Sequence, residues 1–291
     1  MTDDDRSPRR RGKTSPPAAG GLEEEKSPRS LGKDPPAAAG GLEEQKSPDP
    51  GAKGDGDWRV SPPRLVGAAA GALAASYVLP ALAAHLPVLC GPLGIESHTA
   101  GGEGYALTFD DGPHGEGTPA TLEVLRAADV KATFFLVGEQ VRRNPTLARE
   151  IVAAGHGVGL HCDRHRNLLR LTPRQTRTDI DRAQATIEDA TGAAVGLYRP
   201  PYGAINPSAL RLARGRGWRT LLWSQWGRDW EKRATPESIL QRVTRNVGPG
   251  AVLLLHDADD YSSPHSWQRM VAALPRVLDA MSTYGLRPVA P

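Results

Sequence analysis

Between residues 105 and 256, short apolar runs repeatedly end on a polar residue. Tyr105–Phe109 stops at Asp110, and His156–Leu160 runs into His161. Lys131–Val137 leads into a helical pattern over 139–154. Val195–Tyr198 stops at Arg199, Trp218–Trp223 precedes Asp229-Trp230, and Ala251–Leu255 meets His256. Runs of this length, rich in branched and aromatic residues, predict buried strands. The intervening stretches near 118–128, 174–191, 207–215, 236–246 and 267–283 carry helical patterns. Alternation of this kind predicts parallel βα units, an α/β chain built as a barrel or an open sheet. Active sites in such folds collect at the carboxyl ends of the strands. Asp110, Asp111, His161, Arg199, Asp229 and His256 all fall there.

The amino-terminal third has another pattern. Residues 1–64 are rich in Pro, Gly and charge with very few large apolar groups, which predicts disorder. They also repeat: 7–26 is followed without a gap by a close copy at 27–46, and a third begins at Ser47-Pro48. Twelve Lys/Arg balance twelve Asp/Glu in this tail, so nucleic acid is not an expected partner. Next come twenty residues, Leu65–Ala84, without a Lys, Arg, His, Asp or Glu. As a helix they would rise about 30 Å, the hydrocarbon thickness of a bilayer. Arg59 and Arg64 precede the run, and no Lys or Arg recurs until Arg126. The expectation is a single-pass membrane anchor with the tail in the cytoplasm and the following domain outside. The competing reading is a signal peptide cleaved near Ala81-Leu82-Ala83, giving a secreted domain. Residues 85–103 are expected to be a stalk, and 104–288 the folded domain.

Chemistry enters with His161 and His165, four residues apart, and the Asp110-Asp111-Gly112-Pro113 turn. Two imidazoles and a carboxylate leave coordination positions open for water and substrate, and the second aspartate is a spare base. Alone, each half has a plain structural reading, as core or surface histidines and as a strand-end turn.

ThrPheAspAspGlyPro (108–113), HisCysAspArgHis (161–165), ArgProProTyrGly (199–203), AspTrp (229–230) and LeuLeuHis (254–256) together resemble the five motifs of the polysaccharide deacetylases. This is the NodB-homology group, also classed as carbohydrate esterase family 4. The resemblance implies a distorted (β/α) barrel of about seven strands. It implies Asp110 as general base, with Arg199 pairing and orienting it. Asp111, His161 and His165 would hold one divalent metal ion, zinc, or cobalt or another ion. The backbone N–H of Tyr202 would meet the oxyanion, Trp230 would line the groove, and Leu254 would receive the acetyl methyl. His256 would be the general acid, tuned by Asp229, whose charge raises the imidazole pKa.

The implied activity is metal-dependent N-deacetylation of N-acetylhexosamine polymers in the cell envelope, peptidoglycan ahead of chitooligosaccharide. Acetylated xylan or a small amide as substrate stays open, as does a silent, wall-binding scaffold. Two positions depart from the family pattern: Cys162 follows the first histidine in place of Ser or Thr, and Trp226 stands where a further aspartate is common. Cys162 is read as a packed side chain or a thiolate ligand. With two cysteines, no disulfide framework is implied. A net charge of +3 is mild and selects no partner.

Overall fold

Successive residues of a strand point to opposite faces, and here that alternation sorts the chain into an inner and an outer set. The structure is a computed structural model that describes residues 77–291. Its strands are β1 (Ile95–Glu96), β2 (Tyr105–Asp110), β3 (Thr133–Val137), β4 (Gly157–Cys162), β5 (Leu197–Tyr198), β6 (Arg219–Leu221), β7 (Gln225–Trp226) and β8 (Ala251–His256). They form one sheet of order β1-β6-β5-β4-β3-β2-β8-β7, with every ladder between these strands parallel. Tyr105, Leu107 and Phe109 of β2 join the large core beneath the helices, as do Phe134, Leu136, Leu160, Leu253 and Leu255. The opposite parity, Ala106, Phe135, Leu221 and Val252, makes a second, small cluster. Both faces are therefore covered, which is why β2, β3 and β8 read as continuous apolar runs.

The two ends of the sheet meet. β6 lies beside the β1 end of the ladder and β7 forms the other end, yet only Leu222–Ser224 separate them in sequence. The Leu222 N–H donates to Glu96 O at 2.7 Å, and the Ser224 N–H donates to Val252 O at 3.1 Å. Two residues of extended chain span only about 7 Å, so the sheet must curl until its edges nearly touch. The result is a curled parallel sheet of eight strands. Its small interior is filled by Phe135, against which a side chain at Gly159 would collide at 2.7 Å. Above that ring lies the Arg199 guanidinium, 4.0 Å from its centroid.

The helices wrap the outside: α1 (Gly117–Ala127), α2 (Gly138–Arg143), α3 (Pro145–Ala153), α4 (Pro173–Thr191), α5 (Pro207–Gly215), α6 (Pro236–Thr244) and α7 (Ser266–Thr283). Capping boxes at Thr172/Gln175 and Thr235/Ser238, each with Pro next, start α4 and α6. Gly192, at φ 68°, ends α4. The single helix expected over 139–154 is two. Pro145 disfavours helical geometry in the residue before it, and Asn144 sits at φ −133°, ψ 59° between α2 and α3.

The amino-terminal expectations need a larger correction. The disordered, repeat-containing tail 1–64 and the first part of the anchor, 65–76, lie outside the described residues. The rest of that anchor, 77–84, packs on the domain. Pro80, Ala81 and Ala83 are buried, and the Tyr77 hydroxyl donates to Leu171 O at 3.2 Å. Among the described residues no helix is long and apolar enough to cross a membrane. The expected stalk, 85–103, is also part of the fold, because Ile95 is buried and β1 pairs with β6. Apolar composition alone does not distinguish a segment buried in protein from one buried in lipid.

Candidate active site

The inward parity continues to the carboxyl ends of the strands and there turns polar. Asp110 ends β2 and His256 ends β8, directly opposite each other in the ladder. His161 stands at the inward position of β4, and Arg199 follows β5. Arg199 is fully buried, with every donor group committed. Its Nη1 donates to Asp110 Oδ1 and to Thr108 Oγ1, both at 2.8 Å. Its Nε and Nη2 donate to the carbonyls of Leu221 and Leu222, each at 2.9 Å. A bonded guanidinium thus plugs the barrel and fixes the Asp110 carboxylate from below.

Asp111 occupies a turn position at φ 79°, conformationally costly for a non-glycine residue. Its Oδ1 lies 3.5 Å from His161 Nε2 and 3.3 Å from His165 Nε2. No other group of three or more ligand-type side chains converges in this way among the described residues. His161 Nδ1 lies 2.8 Å from the Arg199 carbonyl, which only an N–H can satisfy, so Nε2 carries the lone pair facing Asp111. Burial pushes the pKa of both histidines down to about 3, leaving them neutral. Burial also pushes Asp111 up to about 7, and its buried Oδ1 has no hydrogen-bond partner. Two neutral imidazoles around an unsatisfied carboxylate oxygen are the donor set a divalent cation fits, since the ion reverses the cost of that buried charge. Cys162 does not join them. It faces outward from β4, is fully buried, and burial holds its thiol well above the usual range, so it stays protonated packing.

Opposite this triad, Asp229 grips His256 twice. Oδ2 accepts the His256 backbone N–H at 2.7 Å, and Oδ1 lies 3.1 Å from Nδ1. Burial alone would depress this imidazole, but the Asp229 charge and hydrogen bond, helped by Asp111 and Asp110, lift it to about 9. Nδ1 is thereby occupied, and Nε2 is the nitrogen left for substrate.

These groups open into a pocket of about 310 Å³ lined also by Tyr202, Trp230 and Leu254. Tyr202 is held at φ 60°, ψ 8°, with its ring edge-on to His165. Trp230 stands edge-on to His256 at 5.2 Å. Trp223, Trp226, His85 and Tyr261 line the pocket too. Of these, only Trp226 stood out in the sequence, and then as a departure. Tyr261 stacks on His165 at 4.5 Å and 15°, while its hydroxyl donates to Glu139 at 2.6 Å. Its place in the loop just after His256-Asp257 was the available signal. Asp257, the residue after His256, packs under the turn that carries Asp111: a side chain at Gly112 would meet its Oδ2 at 2.6 Å.

A sequence profile of the polysaccharide deacetylases matches residues 97–221, which includes the Asp110 turn, both histidines and Arg199. A peptidoglycan-N-acetylglucosamine deacetylase of Bacillus cereus is 35% identical over 184 residues, 62% of this chain and 83% of that protein. The chain belongs to the polysaccharide deacetylase family. It is accordingly a hydrolase. A chitooligosaccharide deacetylase of Azorhizobium caulinodans is 33% identical over 186 residues, 62% of this chain and 88% of that protein. Among solved structures, the family 4 carbohydrate esterase of Streptomyces lividans, in complex with acetate, superposes with a TM-score of 0.58 at 34% identity. That match covers 64% of this chain and 92% of the other. The profile stops at residue 221, so for this deacetylase it is the geometry above that places Trp230, Leu254 and His256 in the pocket and Asp229 behind His256.

Proposed function

We propose that the chain removes acetyl groups from N-acetylhexosamine residues of an envelope polysaccharide, peptidoglycan ahead of chitooligosaccharide. The observation that carries the reading is the facing pair Asp110 and His256 on one rung of β2 and β8, beside the Asp111–His161–His165 cluster. In this reading Asp110 takes a proton from the attacking water, whose oxygen joins the acetyl carbonyl carbon. His256, protonated on both nitrogens, gives the Nε2 proton to the leaving nitrogen as the C–N bond breaks, and acetate and a free amine result. A divalent metal held by Asp111, His161 and His165, zinc by preference, supplies Lewis acidity for the carbonyl and the water. Leu254 offers an apolar seat for the acetyl methyl, the Tyr202 N–H a donor for the oxyanion, and Trp230 a face for sugar. The names of the relatives support the substrate class. The apolar run beginning at Leu65 supports work outside the cytoplasm, at the membrane.

Acetate release by the full chain, stripped of metal and then given zinc or cobalt, tests this. Expected is metal-restored acetate from N-acetylglucosamine oligomers and peptidoglycan fragments. Acetate from acetylxylan alone would reassign the chain as an esterase. No acetate from any of these, with metal bound one to one, would overturn the reading.

A pH profile tests the acid. His256 must be protonated, so activity falls as pH rises through its pKa. Asp229→Asn removes the charge that lifts that pKa. The alkaline limb of kcat/KM should therefore move to lower pH by about one unit or more. An unmoved limb would mean that another group supplies the proton.

A further inference from the structure

Seven large apolar side chains are exposed among the described residues, and five of them lie within eleven residues: Val78, Leu79, Leu82, Leu86 and Val88. Pro80, Ala81 and Ala83, between them, are buried, so the segment is amphipathic, with its small residues toward the core and its large ones toward the outside. A sixth, Tyr202, is adjacent, because Gly203 packs on Ala84. A contiguous apolar face on a soluble domain marks a contact surface.

What covers it can be argued from the chain that enters it. Residues 65–76, immediately before, are apolar and uncharged. Twelve residues rise about 18 Å as a helix, well short of the roughly 30 Å needed to span. With 77–84 folded onto the domain, that run is of the length of segments that lie in an interface, and its apolar character continues without a break onto the exposed face. The border is basic. Arg170 is exposed, has no carboxylate partner among the described residues, and lines one surface hollow with Tyr202 and Leu171, the residue that Tyr77 bonds. Apolar side chains bordered by an arginine match the acyl boundary and anionic headgroups of a bilayer.

We propose that Val78, Leu79, Leu82, Leu86 and Val88 seat this domain on a lipid bilayer, with Arg170 toward anionic headgroups. The same segment carries His85, which lines the pocket edge-on to Trp226 at 6.4 Å. The pocket mouth therefore opens at the membrane surface, toward polysaccharide lying close to the membrane. The proposal rests on the reading that the chain works at a membrane.

The test uses the full chain with a fluorophore at Leu86→Cys, or at Tyr284→Cys as control. Cys90 and Cys162 are buried and remain unlabelled in the folded protein. The chain is added to phosphatidylcholine vesicles with and without phosphatidylglycerol, and quenching by doxyl-labelled lipid is compared with quenching by aqueous iodide. Expected is loss of most emission to doxyl lipid at position 86, stronger with phosphatidylglycerol, and loss to iodide at position 284. A chain that floats with the vesicles while position 86 stays open to iodide would overturn this proposal and leave membrane attachment intact. Failure to float would overturn both. Shielding from both quenchers, with disulfide-linked dimers through an unlabelled Leu86→Cys, would assign the face to a second copy of the chain.

Discussion

Asp110→Asn is expected to lower kcat/KM by about 10²- to 10⁴-fold while the protein still binds one zinc ion. Asparagine preserves the shape and can keep accepting a hydrogen bond from Arg199 through its amide oxygen, but it cannot take a proton from water. Asp110 also lies 3.9 Å from His161 Nδ1, on the side away from the Nε2 atoms that converge on Asp111. The adjacent aspartates thus have separable duties, one in proton transfer and one in ligation. Asp111→Asn should reverse the pattern, weakening zinc affinity before any kinetic effect is considered. Steady-state acetate release together with zinc competition against a chromophoric chelator reads both quantities. Loss of zinc from Asp110→Asn would refute the division.

Arg199→Ala is expected to destabilise the domain by about 3–5 kcal/mol, the usual cost of leaving one half of a buried ion pair. Small domains are stable by roughly 5–15 kcal/mol, so this approaches the threshold of folding. The guanidinium serves four acceptors at once: Asp110, Thr108 and the carbonyls of Leu221 and Leu222. Arg199→Lys keeps the charge but lacks the planar fork, so it should recover only part of the loss. Denaturant midpoints of the metal-free proteins measure the effect. In the double variant Arg199→Ala/Asp110→Asn, part of the stability should return because the stranded carboxylate is gone. A full-sized loss with no such return would move the cost from the ion pair to the cavity.

The long strands were legible because both of their faces are buried, which turns β2, β3 and β8 into unbroken apolar words ending on the site residues. β1 and β7 were not. Two residues each, Ile95-Glu96 and Gln225-Trp226, are too short to carry a period and exist as strands through their ladder partners. The residues at strand ends could be gathered by parity alone: Asp110, His161, Arg199 and His256 all share the inward sense. His85 and Tyr261 come from segments with no such constraint, and reach the pocket by three-dimensional packing that local pattern does not encode. The end of the expected anchor misled for a different reason. Pro80, Ala81 and Ala83 are small and apolar, which suits a lipid chain and the surface of a core equally well.

The rung shared by Asp110 and His256 has a consequence for how such an enzyme can diversify. Neighbouring parallel strands lie about 4.8 Å apart, and that spacing is set by backbone hydrogen bonds rather than by side-chain choice. The two proton-handling groups are therefore gauged by the sheet itself. Changes in the loops that bring His85, Trp223 and Tyr261 can redraw the walls around a sugar without altering that gauge. New specificities are then open to mutation one loop at a time, while a slip of one residue by either strand in the β2–β8 register would turn that strand's group to the opposite face of the sheet and part the pair.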